Sequence, residues 1–253
     1  MLEAVSSFGS GLLFLGQGLG LGFRYGVRRK DFIDQLYQTG VKSVAITVAA
    51  GLFVGMILAI QINLQLKDFG AQSFLGGLST STSLRNLGPV LIAFLLSGKV
   101  GAFTSAELGS MKITDQISAI RCLGMDPIRY IVVPRLWAVT CASFLLLILG
   151  LGLTLLGGAL ISSLWLSVNP LLYLSQIPRF VTLSSLLLGL AKSFVFGLSI
   201  AAIACYQGYH VEGGAQGVGR AVRRASVLSL VSIIILDFTV SLLFGLTQTA
   251  LGL

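Results

Sequence analysis

Charged side chains are scarce in this sequence. Of its 253 residues, 10% are charged and 55% are hydrophobic, whereas a soluble domain usually has about 25% charged residues. So few charges cannot cover the surface of a water-soluble domain of this length. The basic residues behind the net charge of +8 stand in short clusters between apolar segments, so we expect anionic lipid headgroups as their counter-charge and no binding of nucleic acid.

Histidine and cysteine are also rare, with one and three residues respectively. His210 stands in a Gly-rich loop, where no Ser/His/Asp or paired-His grouping can be built around it. Cys122, Cys141 and Cys205 are far apart in sequence, without a CxxC motif, and we interpret them as small apolar packing residues. The sequence therefore predicts neither a catalytic centre nor a metal site.

A nucleotide-binding loop is missing as well. Such a loop ends in Gly-Lys-Ser/Thr, because backbone N–H groups hold the phosphates and the hydroxyl holds magnesium. Gly98-Lys99 is followed by Val100. We predict that the chain binds no cofactor, and that a separate subunit binds any ATP and magnesium that drive it.

Long apolar runs are the main positive feature. Five of them approach or exceed the roughly 20 residues that cross a bilayer: residues 44–64, 87–107, 137–164, 183–206 and 227–251. They predict an all-α polytopic membrane protein with one domain over residues 1–253, made of an N-terminal interfacial region (1–42) and a transmembrane bundle (43–253). In the first run, the Gly51-xxx-Gly55 spacing favours close helix packing.

The N-terminal region carries two expectations. Residues 1–22 are apolar, and the first positive charge, Arg24, comes after them. A signal peptide has its positive charges before the apolar stretch, so we expect neither a cleaved signal peptide nor a transit peptide. Residues 31–41 place Phe32, Ile33, Leu36 and Tyr37 on one side of a helix, which is typical of a helix lying in the membrane interface. An ordinary cytoplasmic helix end is the alternative.

The distribution of Lys and Arg predicts the orientation. Most of the 17 basic residues lie before the first span, around the second connection or in the fourth. Cytoplasmic loops carry this excess. We expect a cytoplasmic N-terminus and an external C-terminus.

Two charged residues fall near the middle of predicted spans. Lys192 and Asp237 lie at matching depths in the fourth and fifth spans, and a lone charge in hydrocarbon is costly. We predict that they form an intramembrane ion pair, which either is purely structural or borders the substrate path.

The connection between the second and third spans is unusual in its pattern. It reads ELGSMKITDQISAIRCLGMDPIRYIVVPR, in which Ile113, Ile117 and Ile120 with Met111 form an apolar stripe at helical spacing. This predicts a short amphipathic cytoplasmic helix ending near Gly124. A helix that merely lies on the membrane is the alternative.

This connection and the span before it resemble a known family. The run LGPVLIAFLLSGKVGAFTSAELGSMKITDQISAIRCLGMDPIRYIVVPRLWA is similar to the signature of MlaE-type (YrbE-like) permeases, the membrane subunits of Mce-associated lipid ABC transporters, which include the chloroplast lipid-import permease. QLYQTGVKS, GLFVGMILAIQ, KSFVFG and LDF extend the similarity over nearly the whole chain.

The resemblance implies a complex and two functional surfaces. It implies a homodimer with two cytoplasmic ABC ATPase subunits, a ring of Mce-domain lipid-binding proteins and a lipid substrate, in a bacterial inner membrane or a plastid inner envelope. It implies a coupling helix that docks on the ATPase, carried by Glu107, Ser110, Met111, Asp115, Arg121, Met125 and Asp126. It also implies a lipid cavity lined by Leu58, Gln61, Leu66, Phe69, Arg85 and Asn86.

One position departs from the family pattern. Many relatives have Arg-Glu before Leu-Gly-Pro, whereas this chain has Arg85-Asn86. The missing carboxylate leaves Arg85 freer to meet a phosphate or another anionic headgroup; a snorkelling interfacial arginine is the alternative. A secondary transporter driven by an ion gradient and a non-transporting membrane scaffold are the competing functions, although no internal repeat supports the former.

Overall fold

The computed structural model describes residues 29–166 and 168–251, together with Gly16 and Gly20. Every regular element in these residues is helical. Five helical stretches are long and apolar enough to cross a membrane: Arg29–Asp68, Gln72–Ile113, Ile128–Leu164, Leu183–Tyr209 and Gly214–Thr249. The all-α prediction with five spans is confirmed. The expectation for residues 1–22 lies almost entirely outside the described residues.

Residues 29–166 and 168–251 contain ten α-helices, eight of them within these stretches and two between them. They are α1 (Arg29–Thr39), α2 (Val44–Asp68), α3 (Leu75–Thr82), α4 (Gly88–Leu96), α5 (Ala102–Ile113), α6 (Gln116–Cys122), α7 (Val133–Leu164), α8 (Pro170–Phe180), α9 (Leu183–Tyr209) and α10 (Gly214–Leu251). Short π-helical segments, Ser83–Leu87, Ser97–Gly101 and Ile128–Val132, adjoin α4, α5 and α7. Such segments are frequent at functional sites in helices.

Contacts between residues divide the chain into two units. Unit 1 contains the described residues up to Ser43, Leu96–Phe144 and Phe196–Ser232. Unit 2 contains Val44–Leu95, Leu145–Val195 and the described residues from Ile233 onward. Neither unit is continuous in sequence, because several long helices contribute one part to each.

Unit 1 has an apolar core between α5, α7 and α9. Leu108, Leu136, Phe196 and Ile200 are almost completely buried. The side chain of Arg135, with 5% exposure, lies in the same unit. A cation this deep needs a partner, and its partners are described with the candidate site.

Unit 2 is built on a close contact between α2 and α7. A Cβ atom added at Gly55 would lie 2.0 Å from the carbonyl oxygen of Thr154, and one added at Gly51 would lie 2.7 Å from that of Gly150. The two backbones approach this closely only because both positions lack a side chain. The Gly51-xxx-Gly55 spacing therefore serves helix packing, as the sequence predicts.

The helices α3 and α8 of unit 2 are absent from the sequence prediction. The Asn169 side chain accepts a hydrogen bond of 2.9 Å from the backbone N–H of Leu171, and Pro170 occupies the first turn of α8. Tyr173 is buried, and its hydroxyl lies 2.9 Å from Ser79 Oγ on α3. The Asn-Pro pair is a helix start signal that sequence reasoning could have used.

Candidate functional site

A charged cluster lies in unit 2 beside the π-helical segment Ser83–Leu87. The Lys192 side chain has 0% exposure, and its Nζ lies 2.6 Å from Asp237 Oδ1. The same Nζ donates a hydrogen bond of 2.6 Å to the backbone carbonyl of Arg85. The structure thus brings together Lys192 and Asp237, for which the sequence predicts an ion pair. Lys192 also joins this pair to the segment that carries Arg85.

The guanidinium group of Arg85 is held by two hydroxyl groups. Arg85 Nε donates to Ser185 Oγ at 2.7 Å, and Nη2 donates to Thr182 Oγ1 at 3.3 Å. Ser185 is fully buried, whereas Arg85 is half-buried and Asn86 is exposed. Because the two hydroxyls are neutral, they fix the direction of the guanidinium group without neutralising its charge.

The six predicted lipid-cavity residues all lie in unit 2 but do not face alike. Gln61, Phe69 and Asn86 are exposed, while Leu66 and Arg85 are half-buried. Leu58 is 3% exposed and packs into the core of the unit. Its register on α2 turns it towards other helices of the chain, and its role as a lining residue stays a prediction.

The predicted coupling helix is shorter than the sequence pattern indicates. Its helix, α6, ends just before Gly124, as predicted, and Gly124 has a φ of +75°. Asp115, with a φ of 57°, separates α6 from α5. Ile113 therefore ends α5 and is 38% exposed, whereas Ile117 on α6 is 1% exposed. The predicted apolar stripe is broken by this turn.

Five of the seven predicted coupling residues are exposed: Ser110, Asp115, Arg121, Met125 and Asp126. The two aspartates also shape the backbone. Asp126 Oδ1 accepts a hydrogen bond of 3.0 Å from the N–H of Ile128, and Asp115 Oδ1 accepts one of 3.3 Å from Ser118 Oγ. This surface combines charged, polar and thioether groups around a short helix.

Glu107 and Met111 take part in a contact inside unit 1. Glu107 Oε1 lies 2.7 Å from Arg135 Nη2 and accepts a hydrogen bond of 3.3 Å from Gln35 Nε2 on α1. Arg135 Nη1 also contacts Met111 Sδ at 3.8 Å. Both side chains stay partly exposed, so their docking role stays a prediction, and in addition they hold Arg135 within the unit. The sequence could not show this, because Arg135 is far from both residues along the chain.

Replacing Arg135 with methionine is expected to lower the free energy of unfolding by about 1–3 kcal/mol, because Glu107 loses its buried cation. Water reaches the Glu107 side chain, which is 34% exposed, and this moderates the loss. Thermal unfolding of the purified chain in detergent measures the effect. Arg224→Met, at an exposed arginine, is the control, and equal unfolding temperatures for the two variants would contradict the assignment.

The residues of classical catalytic and metal sites are dispersed. Within residues 29–166 and 168–251, no three His, Cys, Asp or Glu side chains group so that they could hold a metal ion. The three cysteines are free thiols; Cys205 is buried and Cys141 half-buried, but Cys122 is exposed and so is not the packing residue we expected. His210 is exposed.

Comparison with known proteins agrees with this architecture. The permease family described as Permease MlaE matches residues 32–243. A probable ABC transporter permease protein of Synechocystis is 38% identical over 230 residues, which cover 89% of this chain and 87% of the relative. The intermembrane phospholipid transport system permease protein MlaE of Haemophilus influenzae is 34% identical, with 86% and 85% covered.

A plant protein is similar as well. The chloroplastic protein TRIGALACTOSYLDIACYLGLYCEROL 1 of Arabidopsis thaliana is 32% identical over 215 residues, which are 85% of this chain and 61% of that protein. The family match spans most of the chain, from α1 to α10, and includes the charged cluster and the coupling segment. This chain therefore belongs to the MlaE permease family.

Proposed function

We propose that the chain is the membrane-spanning subunit of an ATP-driven transporter that moves a phospholipid or another glycerolipid between the membrane and an external Mce-domain carrier. One observation carries this proposal: the guanidinium group of Arg85 is held by the hydroxyls of Thr182 and Ser185 at the start of α9, in the same π-helical segment as the exposed apolar residue Leu87. The names of the Haemophilus and Arabidopsis relatives point to lipids of this class.

The headgroup would bind at Arg85. Arginine forms charge-assisted, often bidentate hydrogen bonds with phosphate, and Ser185 and Thr182 hold this one in position before the lipid arrives. Asn86, where many relatives have an acid, adds an amide and no competing negative charge. Lys192 holds the backbone of Arg85 in place through its hydrogen bond to the Arg85 carbonyl oxygen.

Energy would come from a separate ATPase subunit. The exposed residues Ser110, Asp115, Arg121, Met125 and Asp126 form a surface on which that subunit docks. Closure of two ATPase subunits on ATP would move the two coupling segments, and the membrane helices would rock with them. The basic residues around this segment favour the cytoplasmic side for it, and we propose a bacterial inner membrane or a plastid inner envelope as the location of the chain.

A second copy of the chain completes the proposed transporter. In the most apolar 18-residue part of the helical stretch Gly214–Thr249, only 11% is buried. Side chains such as Ile234, Phe238 and Leu243 are more than half exposed. An exposed apolar helix surface of this kind contacts either lipid or another protein surface, such as a second copy of the chain. A homodimer would cover part of this surface.

Arg85→Gln is expected to reduce ATP-dependent lipid transfer at least about tenfold, since a hydrogen bond to a charged group contributes about 1.5–3 kcal/mol and about 1.4 kcal/mol is a factor of ten. The measurement is transfer of a fluorescent anionic phospholipid from proteoliposomes containing the permease and its ATPase to the Mce-domain carrier. Arg179→Gln is the matched control, because Arg179 is an exposed arginine of the same unit and, like Arg85, stands outside the basic clusters that predict the cytoplasmic side.

Three results would contradict the proposal. Equal transfer by the two variants would remove Arg85 from the lipid path. Transport that follows an ion gradient and ignores ATP would favour the secondary transporter. An intact complex whose ATP hydrolysis does not respond to lipid would favour the scaffold.

A further inference from the structure

An apolar groove lies between α1 and α7 in unit 1. Phe32 and Ile33 of α1 line one side, Trp137 and Cys141 of α7 line the other, and Arg29 stands at its edge. Its volume is about 430 Å³. This is within the ~300–1,000 Å³ typical of sites for small molecules, and nearly all of the lining surface is apolar.

The lining combines groups that suit one kind of ligand. Phe32, Trp137 and Cys141 are half-buried, whereas Ile33 is 60% exposed, so the groove opens to the surroundings of the chain. In a membrane protein, Trp is enriched at the level of the lipid headgroups. An apolar groove that opens there is suited to a hydrocarbon chain.

The charge at the edge indicates which lipid. Arg29 and its neighbour Lys30 are both exposed cations, and an arginine at membrane level binds phosphate through charge-assisted hydrogen bonds. The acidic residues of α1, Asp31 and Asp34, are not among the lining residues. A cation beside an apolar groove matches the two parts of an anionic phospholipid.

We infer that this groove is a second lipid site, which holds one acyl chain of an anionic phospholipid of the surrounding leaflet with its phosphate at Arg29. The bound lipid fastens α1 to α7 and is not transported. This site shares no residue with the one proposed around Arg85. The inference needs only that the chain lies in a membrane, so it stands or falls separately from the proposed transport function.

Photo-crosslinking tests the inference in the full-length protein. The chain is reconstituted in nanodiscs containing phosphatidylglycerol with a diazirine in its acyl chain, irradiated, and mapped by peptide mass spectrometry. We expect adducts at Phe32–Ile33 and at Trp137–Cys141. Arg29→Glu should reduce them at least fivefold, whereas Lys30→Glu, the same charge change one residue away from the lining, should leave most of them.

Two further measurements sharpen the test. Cys141→Trp fills the groove and should remove the adducts while the elution profile and the adducts elsewhere are unchanged; Cys122→Trp, at an exposed cysteine, is its control. A phosphatidylcholine probe should give fewer adducts than phosphatidylglycerol and respond less to Arg29→Glu, because its choline cation offsets the charge of its phosphate.

The inference is wrong if adducts spread evenly over all apolar surfaces, or if Arg29→Glu and Lys30→Glu act alike. It is also overturned if residues 1–28 of the chain occupy the groove. In that case, a crosslinker placed at Cys141 would join these residues and no lipid.

Discussion

Asp237→Asn is expected to prevent accumulation of folded protein, or to lower the free energy of unfolding by about 3–5 kcal/mol. The substitution leaves the ammonium group of Lys192, with 0% exposure, next to a neutral amide. Total stability is about 5–15 kcal/mol for a typical domain, so the loss is a large part of it. Size-exclusion chromatography of a fluorescent fusion measures the folded yield, and thermal unfolding measures the change.

The two single substitutions should differ in severity. Lys192→Met leaves Asp237, whose side chain is 28% exposed, so that polar surroundings can solvate this carboxylate. Asp237→Asn leaves Lys192 with 0% exposure, so that solvent does not reach its ammonium group. We therefore expect Lys192→Met to retain more folded protein than Asp237→Asn.

A double substitution separates pairing from other causes. Lys192→Met combined with Asp237→Leu removes both charges, and replacing a buried ion pair with apolar residues is often neutral or stabilising. We expect the double variant to fold better than Asp237→Asn. If the double variant folds no better, the destabilisation does not come from the unpaired charge. If the double variant does fold well, its rate of lipid transport shows whether the ion pair borders the lipid path.

The spans were predictable because a membrane imposes one strong requirement. About 20 consecutive apolar residues must satisfy their backbone hydrogen bonds within one helix, and each apolar run of the sequence falls in one helical stretch of the structure. The Lys192–Asp237 contact was predictable for the same reason, since the sequence places few charges at this depth. Scarcity of charge made the choice of partner nearly unique.

The remaining features depend on contacts that no local pattern records. Helices α3 and α8 are too short to give a span signal, and α8 contains Pro178. The turn at Asp115 interrupts a pattern whose spacing still favours a continuous helix. Leu58 and Glu107 illustrate the limit for the site: their residue types suit a cavity and a docking surface, but the burial of Leu58 and the ion pair of Glu107 with Arg135 depend on neighbouring helices.

Gly55→Ala is expected to destabilise the contact between α2 and α7 by about 1–3 kcal/mol or more, as overpacking does in well-packed cores. The new Cβ would lie 2.0 Å from the Thr154 carbonyl oxygen and 2.7 Å from its carbonyl carbon. These are backbone atoms, so no side-chain rotation relieves the clash and the two helices must separate. Separation removes van der Waals contacts along the whole interface, because dispersion energy falls steeply with distance.

Glycines of the same unit offer a graded comparison. Gly152 on α7 has nothing within 4 Å of an added Cβ, whereas at Gly51 the nearest atom is 2.7 Å away. Alanine in a helix is favoured over glycine by about 0.5–1 kcal/mol, so Gly152→Ala should be neutral or stabilising. The expected order of unfolding temperatures is Gly152→Ala above Gly51→Ala above Gly55→Ala. If Gly55→Ala unfolds at the same temperature as Gly152→Ala, close backbone approach does not hold α2 against α7, and lipid or a second copy must stabilise that pair.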